Sequence, residues 1–178
     1  NDTVFQMKDK EFILKHNDGL GNYSERMYYG GDAQLLISTG LGMTNLRVEV
    51  ISGKQPGLKE SSASPSTSAL PQGKTYRRDF LSFVAYFIQD FGRHSIVLKY
   101  DQYDPNIQVA GNEIGKGGTT KGDIMKQNIG IGYLFRINAH LRLMGYFDWA
   151  MNETTSNLNG YEKDLYDNTF TCRLQYKF

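Results

Sequence analysis

Few side chains in this 178-residue chain are placed to make or break a bond. The histidines are His16, His94 and His140. The first falls in a long polar stretch and the other two at tight turns, so no Ser/His/Asp relay is spelled out. The sole cysteine, Cys172, excludes an internal disulfide and a Cys-based zinc site. It falls on the apolar side of an alternating run and is expected to pack as a small hydrophobe. The Gly- and Lys-rich stretch 111–122 invites a phosphate-loop reading. It fails the spacing, because neither Lys116 nor Lys121 is followed by Ser or Thr after the required glycine. A mobile surface loop is expected instead. Asp101, Asp104, Asn106 and Glu113 could offer oxygen ligands to calcium at a strand end, but solvated loop acids are the simpler reading. No catalytic residue, metal or cofactor is expected, and the chain is not read as an enzyme.

The charges inside alternating segments say more. Arg26, Arg47, Lys99, Arg136, Arg142, Arg173 and Lys177 fall opposite apolar neighbours, as do Asp32, Glu49, Asp101 and Asp148. An Arg or Lys facing lipid at mid-depth costs about 2–4 kcal/mol, so such a face must line water or protein. Lining a channel, its surplus of positive charge would favour anions. The alternative is that the charges pair off and merely solvate a filled interior. The channel-lining candidates are Arg26, Arg47, Glu49, Lys99, Asp101, Arg136, Arg142, Asp148, Arg173 and Lys177.

These residues need strands to carry them. Lys and Arg number 20 against 19 Asp and Glu, which argues against a basic nucleic-acid binder. Apolar residues make up 39 %, a low share, yet the chain holds 12 Tyr, 10 Phe and 19 Gly. That mixture suits a sheet with one greasy face. No apolar run reaches the ~18 residues of a membrane helix, whereas a membrane β-strand needs only about 9–11, apolar at alternate positions. No secretion signal is read at Asn1.

Period-two alternation marks the strands. Phe170, Cys172, Leu174, Tyr176 and Phe178 alternate with Thr171, Arg173, Gln175 and Lys177. Similar runs cover 141–151, 129–137, 94–104, 45–52 and 26–38. The run 77–90 is apolar on both faces, so its inward side is not assignable by period. A weaker first strand near 4–15 is interrupted by Lys8, Asp9, Lys10 and Glu11. Short turns near 39–44, 91–94 and 138–140 alternate with long polar loops near 16–25, 53–75, 105–125 and 153–165. Short turns at one end and long loops at the other characterise outer-membrane barrels, and strand parity fits at every connection. Strands of about 10 residues, tilted by about 40°, span about 26 Å. Tyr28, Tyr100, Phe135, Phe147, Trp149, Tyr176 and Phe178 are the candidate interface aromatics. The expectation is one domain over 1–178: an all-β, antiparallel up-and-down transmembrane β-barrel with seven or eight strands.

The segment Leu98-Lys99-Tyr100-Asp101-Gln102-Tyr103-Asp104-Pro105-Asn106 resembles a strand end in porins of the phosphate-selective O and P type. Leu141-Arg142-Leu143-Met144, followed by Tyr146-Phe147-Asp148, resembles that family's penultimate strand. The end of the chain is similar to a barrel's closing strand, with a terminal Phe like that read by the barrel-insertion machinery. The resemblance covers roughly residues 23–178. It implies the C-terminal half of a sixteen-stranded, trimeric pore in the bacterial outer membrane. The family's phosphate-binding lysine cluster has no match by residue here, so phosphate specificity does not carry over.

Three functions stay open. The first is a passive diffusion porin for small hydrophilic solutes with a mild anion preference. The second is a small eight-stranded outer-membrane barrel with a structural or adhesive role. The third is a soluble ligand-carrying barrel, which needs an apolar interior and a polar exterior and fits the charge pattern less well. The partners implied are outer-membrane lipid, the insertion machinery through residues 170–178, and two further copies in a homotrimer; no nucleic acid is implied.

Overall fold

A computed structural model describes residues 3–15, 24–62 and 74–178. The described residues are all-β, with nine strands and two single-turn 3-10 segments. Seven long strands pair with their sequence neighbours, always antiparallel. They are β3 (Met27–Thr39), β4 (Gly42–Gly57), β5 (Lys74–Phe91), β6 (His94–Asp104), β7 (Lys126–Arg136), β8 (Leu141–Asn152) and β9 (Thr169–Tyr176). The sheet does not close: among the described residues β3 pairs only with β4, and β9 only with β8.

The expected first strand is not a wall strand. Residues 3–14 form a small hairpin, β1 (Thr3–Lys8) and β2 (Glu11–Leu14). The break in alternation is its turn, where Asp9 and Lys10 take φ of 50° and 68°. Two consecutive left-handed residues make the tight hairpin turn whose twist matches a β-ladder. β1 then runs parallel to the start of β5, from Thr3 opposite Lys74 to Gln6 opposite Arg77. It fills the space beside β5 that β6 leaves, because β6 first pairs at Asp104 opposite Leu81. The eighth barrel strand is therefore absent from the described residues, and an eight-stranded barrel closed by this chain alone is not what the sheet forms.

The short turns lie where the alternation puts them. Thr39 and Gly42 close β3 and β4 around two residues, and Phe91 and His94 close β5 and β6 the same way. Gly42 has no substitute: its φ is 137°, and a Cβ there would lie 2.1 Å from the Asp90 carbonyl oxygen. At the third turn Asn138 Oδ1 accepts from the amides of His140 and Leu141, both at 2.8 Å.

A single layer of sheet buries little against itself. Accordingly, the buried large apolar side chains among the described residues are Val4, Tyr76, Phe80, Val109, Ile114 and Ile124, all at the long-loop end. Val109, Ile114 and Ile124 form one cluster, covered by Met7 from β1 and by Leu158 and Tyr161. The stretch 105–125 is therefore no mobile loop. Ile114 and Asp123 are 0 % exposed, and two 3-10 turns shape the segment, Gly111–Glu113 and Lys121–Asp123. The low-complexity stretch expected at 60–68 lies mostly outside the described residues, as does His16.

Candidate functional site

Register decides what each face presents, because a one-residue slip would exchange the faces. On one face a row runs across all seven strands: Leu35, Leu46, Phe87, Leu98, Ile131, Phe147 and Phe170. Neighbouring rows add Ala33, Val48, Ala85, Tyr100, Ile129 and Trp149 on the loop side. On the turn side they add Phe135, Leu143 and Leu174, with Leu141 opposite Tyr176. Leu143, Ile131, Phe147 and Leu174 are 40–65 % exposed, so none of the described residues covers this greasy face. The first acidic, lysine or arginine residues on it are Lys54, Arg77, Asp79 and Asp104, all at the loop end. Lys54 and Arg77 converge there on Glu25, at 3.4 and 2.9 Å.

Register also sorts the aromatics. Tyr100 and Trp149 sit on this face toward the loops, and Phe135 and Tyr176 toward the turns. His94 stacks on Phe135 at 5.0 Å and on Phe91 at 5.7 Å, thickening the turn-side ring. Phe147 is in the middle row, not at an edge. Tyr28 is on the other face, edge-on to buried Phe80 at 5.2 Å. Neither is an edge aromatic of the greasy face: Tyr28 is excluded by its parity on β3, and Phe147 by its place in the middle row of β8.

The opposite face carries the charges. One row reads Gln34, Arg47, Tyr86, Lys99, Gly130, Asp148 and Thr169; the next reads Asp32, Glu49, Val84, Asp101, Asn128 and Ala150. Nearer the turns Arg136 is directly opposite Arg142, which is opposite Gln175, while Arg173 is opposite Met144. Eight of the ten channel-lining candidates thus share one face. Arg26 and Lys177 fall just outside β3 and β9. Arg26 donates to the Tyr28 hydroxyl at 2.6 Å, and the Lys177 amide donates to the His140 carbonyl at 2.8 Å.

Much of this charge is matched locally. Arg47 lies 3.7 Å from Glu49, and Lys99 pairs with Asp101, which also accepts from Asn128 at 2.8 Å. Arg136 reaches Asp90 at 3.2 Å. Alternation missed Asp90 as a charge on this face, because the stretch around it is apolar on both sides. Arg142 makes two bonds to Gln175, at 2.9 and 2.7 Å, and among the described residues no carboxylate pairs with it. The Tyr146 ring lies over two glycines of β7: a Cβ on Gly132 would meet its Cδ2 at 2.7 Å.

At the loop end a cap of interlocked segments covers the sheet. Arg78 and Asp123 pair at 2.8 Å with side chains 3 % and 0 % exposed. Arg78 also donates to the Leu58 and Lys59 carbonyls at 2.9 and 2.8 Å. Asp123 accepts in addition from Asn106 Nδ2 at 2.7 Å and the Thr120 amide at 2.8 Å. The second segment joins through Asn157 Nδ2, which donates to the Asn112 and Ile114 carbonyls at 2.7 and 3.0 Å. The hairpin joins through the Phe12 amide, bonded to the Gly117 carbonyl at 2.7 Å, and through Lys10 on Glu113. That lysine holds the Glu113 carboxyl below the ordinary carboxylate range. The spacing Thr120-x-x-Asp123 is a capping-box signal that could have marked this ordered turn in the sequence.

The residues weighed for calcium are held in separate contacts. Asp101 is committed within the sheet, Asp104 Oδ1 accepts from the Asn106 amide at 3.0 Å, and Glu113 is held by Lys10. No group of three metal-ligating side chains occurs among the described residues. His94 and His140 sit at two separate turns, and Cys172 is exposed on the greasy face rather than packed.

Beneath the cap lies a cleft of about 390 Å³, walled by Tyr103, Asn128 and Asn152 from the sheet and by Ser61, Lys121 and Tyr161 from the cap. Among comparisons with known proteins, no family model, curated protein or solved structure matches this chain.

Proposed function

We propose that the seven-strand sheet is part of the wall of a bacterial outer-membrane porin, passing small hydrophilic solutes with a mild preference for anions. One observation carries this reading: from the turns up to Lys54, Arg77, Asp79 and Asp104 at the loop end, the greasy face carries no acidic, lysine or arginine residue on any of the seven strands, while the opposite face holds Arg47, Lys99, Arg142 and their neighbours. Water on both sides would leave a large uncovered apolar surface, far beyond the few hundred Å² that soluble monomers tolerate. Lipid on that side and water on the other satisfies both faces. The belt has the right height. From Leu81 to Phe91 along β5 is about 33 Å at ~3.3 Å per residue, or about 25 Å once tilted by about 40°.

The open edges fit the same reading. Unpaired backbone N–H and C=O groups cost several kcal/mol each in hydrocarbon, so β3 and β9 are paired by further strands in the membrane. The resemblance to porins of the phosphate-selective O and P type supports a larger barrel, with a homotrimer as its assembly and β9 as the strand offered to the insertion machinery. Arg142 and Arg173, without carboxylate partners among the described residues, supply the anion preference; the pairs at Arg47, Lys99 and Arg136 keep it mild.

The test is conductance of the full-length protein in a planar bilayer under a salt gradient. The reversal potential should indicate anion preference, weaken as the Debye length falls from about 10 Å at 0.1 M to about 3 Å at 1 M salt, and move toward cations in Arg47→Glu/Arg142→Glu. Absence of conductance, or a reversal potential unmoved by the two changes, would leave a structural barrel as the better reading.

A further inference from the structure

We propose that the cleft beneath the cap binds a neutral saccharide of one or two rings. The proposal rests on the porin reading and names a solute class for it. The floor of the cleft is two rows of the polar face at its loop end. Tyr103 is opposite Lys126, which is opposite Asn152; the next row holds Asn128 opposite Ala150. The facing wall comes from the cap, with Ser61, Lys121 and Tyr161. The cleft therefore stands on the water side of the sheet, at the loop-side mouth. Its volume of about 390 Å³ falls within the roughly 300–1,000 Å³ of small-molecule sites.

Both of its rings are fixed by apolar contacts. Tyr161 packs on the cluster of Val109, Ile114 and Ile124, and Tyr103 lies against buried Phe80 with ring centroids 6.0 Å apart. The segment before Ser61 is held by Arg78 and by the Thr120 hydroxyl, which donates to the Lys59 carbonyl at 2.6 Å. On the far side Asn152 Oδ1 accepts from the Leu165 amide at 2.7 Å. A site assembled in advance spends little binding energy on ordering itself. Its free groups suit a sugar better than an ion. Asn128 gives Nδ2 to Asp101 at 2.8 Å, which leaves its carbonyl oxygen as an acceptor. Among the described residues nothing pairs with the side chains of Glu60, Lys121, Lys126, Tyr161 and Asp167. The two lysines and two carboxylates of this set are exposed and balance in charge, so the cleft exerts no net pull on an ion, unlike the turn end with Arg136, Arg142 and Arg173. Sugar hydroxyls both donate and accept, so they use the ammonium groups and the carboxylates alike. The C–H face of a pyranose packs on a tyrosine ring. An inorganic anion would use the lysines alone and meet two carboxylates.

Isothermal titration of the full-length protein in detergent micelles tests this. The probes are the neutral disaccharides cellobiose, maltose, lactose and sucrose, with inorganic phosphate and the open-chain polyol sorbitol as controls. At least one disaccharide should bind, phosphate should not displace it, and sorbitol, which has no ring face, should bind more weakly. Tyr161→Leu keeps apolar bulk against the cluster but removes the ring, and should weaken binding by about tenfold. Tyr161→Phe should keep most of the affinity. Lys126→Met, on the sheet and outside the cap, should weaken binding by removing a donor. Trypsin resistance of 105–125 shows whether the cap stays docked; where Tyr161→Leu releases it, Tyr161→Phe and Lys126→Met decide. No binding of any of the four disaccharides, displacement by phosphate, or unchanged affinity in Lys126→Met with the ring variants also unchanged overturns the inference. Conductance in bilayers without saccharide binding overturns it and leaves the porin reading standing. Saccharide binding by a protein that does not conduct keeps the site and removes the pore.

Discussion

Removing the charge of Asp123 should release the loop cap while leaving the wall in place. In Asp123→Asn the side chain keeps its size and one acceptor oxygen, but Arg78 stays 3 % exposed with no counter-charge. Stranding one partner of a buried pair costs about 3–5 kcal/mol. The carboxylate also accepts from Asn106 and the Thr120 amide, so the change weakens those bonds as well. The loss falls on the docking of 105–125, because Arg78 belongs to β5 and the wall pairings do not pass through Asp123. At about 1.4 kcal/mol per factor of ten, the low end raises the opened fraction of the cap by about a hundredfold. Lys116 and Lys121 lie in this segment, and cleavage of a transiently opened loop tracks its open population. Limited trypsin digestion of the reconstituted protein should therefore cut after these lysines about a hundred times faster in the variant. Asp32→Asn, on the polar face of β3, should leave the cleavage rate unchanged. Equal rates for wild type and Asp123→Asn would refute the claim that the Arg78–Asp123 pair holds the cap.

Residues on opposite faces of β8 should respond differently to one change: Phe147→Arg, in the middle row of the greasy face, costs about 2–4 kcal/mol, and Met144→Arg, on the charged face, costs far less, as urea unfolding in lipid vesicles would show. Gly132→Val drives a side chain into the Tyr146 ring and should destabilise by about 1–3 kcal/mol, with much of the loss recovered when Tyr146→Ala is added; no recovery would mean the strain lies in the β7 backbone. Lys10 holds the Glu113 carboxyl down, so its contribution to hairpin docking is present above the ordinary carboxylate range and lost as pH falls through the lowered value. Hydrogen exchange at the Phe12 amide should accelerate over that acidic window in the wild type and show no such step in Lys10→Met.

Alternation along 128–137, 141–151 and 170–176 was enough to place the two faces of β7, β8 and β9. Side-chain direction in a strand has a period of two whatever the strand pairs with, and Leu143, Phe147 and Leu174 are on the face it assigns. The tight turns were legible for a similar reason, since Gly42 and Gly92 satisfy backbone demands that are local. Four matters were settled only by tertiary structure. Residues 81–90 are apolar on both sides, so only pairing with β4 and β6 could put Phe83 and Phe87 in the belt and Asp90 beside Arg136. The stretch 4–15 became a hairpin because the space beside Lys74–Arg77 depends on where β6 ends, a fact spread over a hundred residues. Arg47–Glu49 and Lys99–Asp101 are two residues apart on one strand, but the partners of Arg136 and Arg142 needed cross-strand register, which composition does not contain. The Gly- and Lys-rich stretch looks like a solvated loop in sequence, because its order comes from Arg78, Asn157 and Phe12, each far along the chain and invisible to any local pattern.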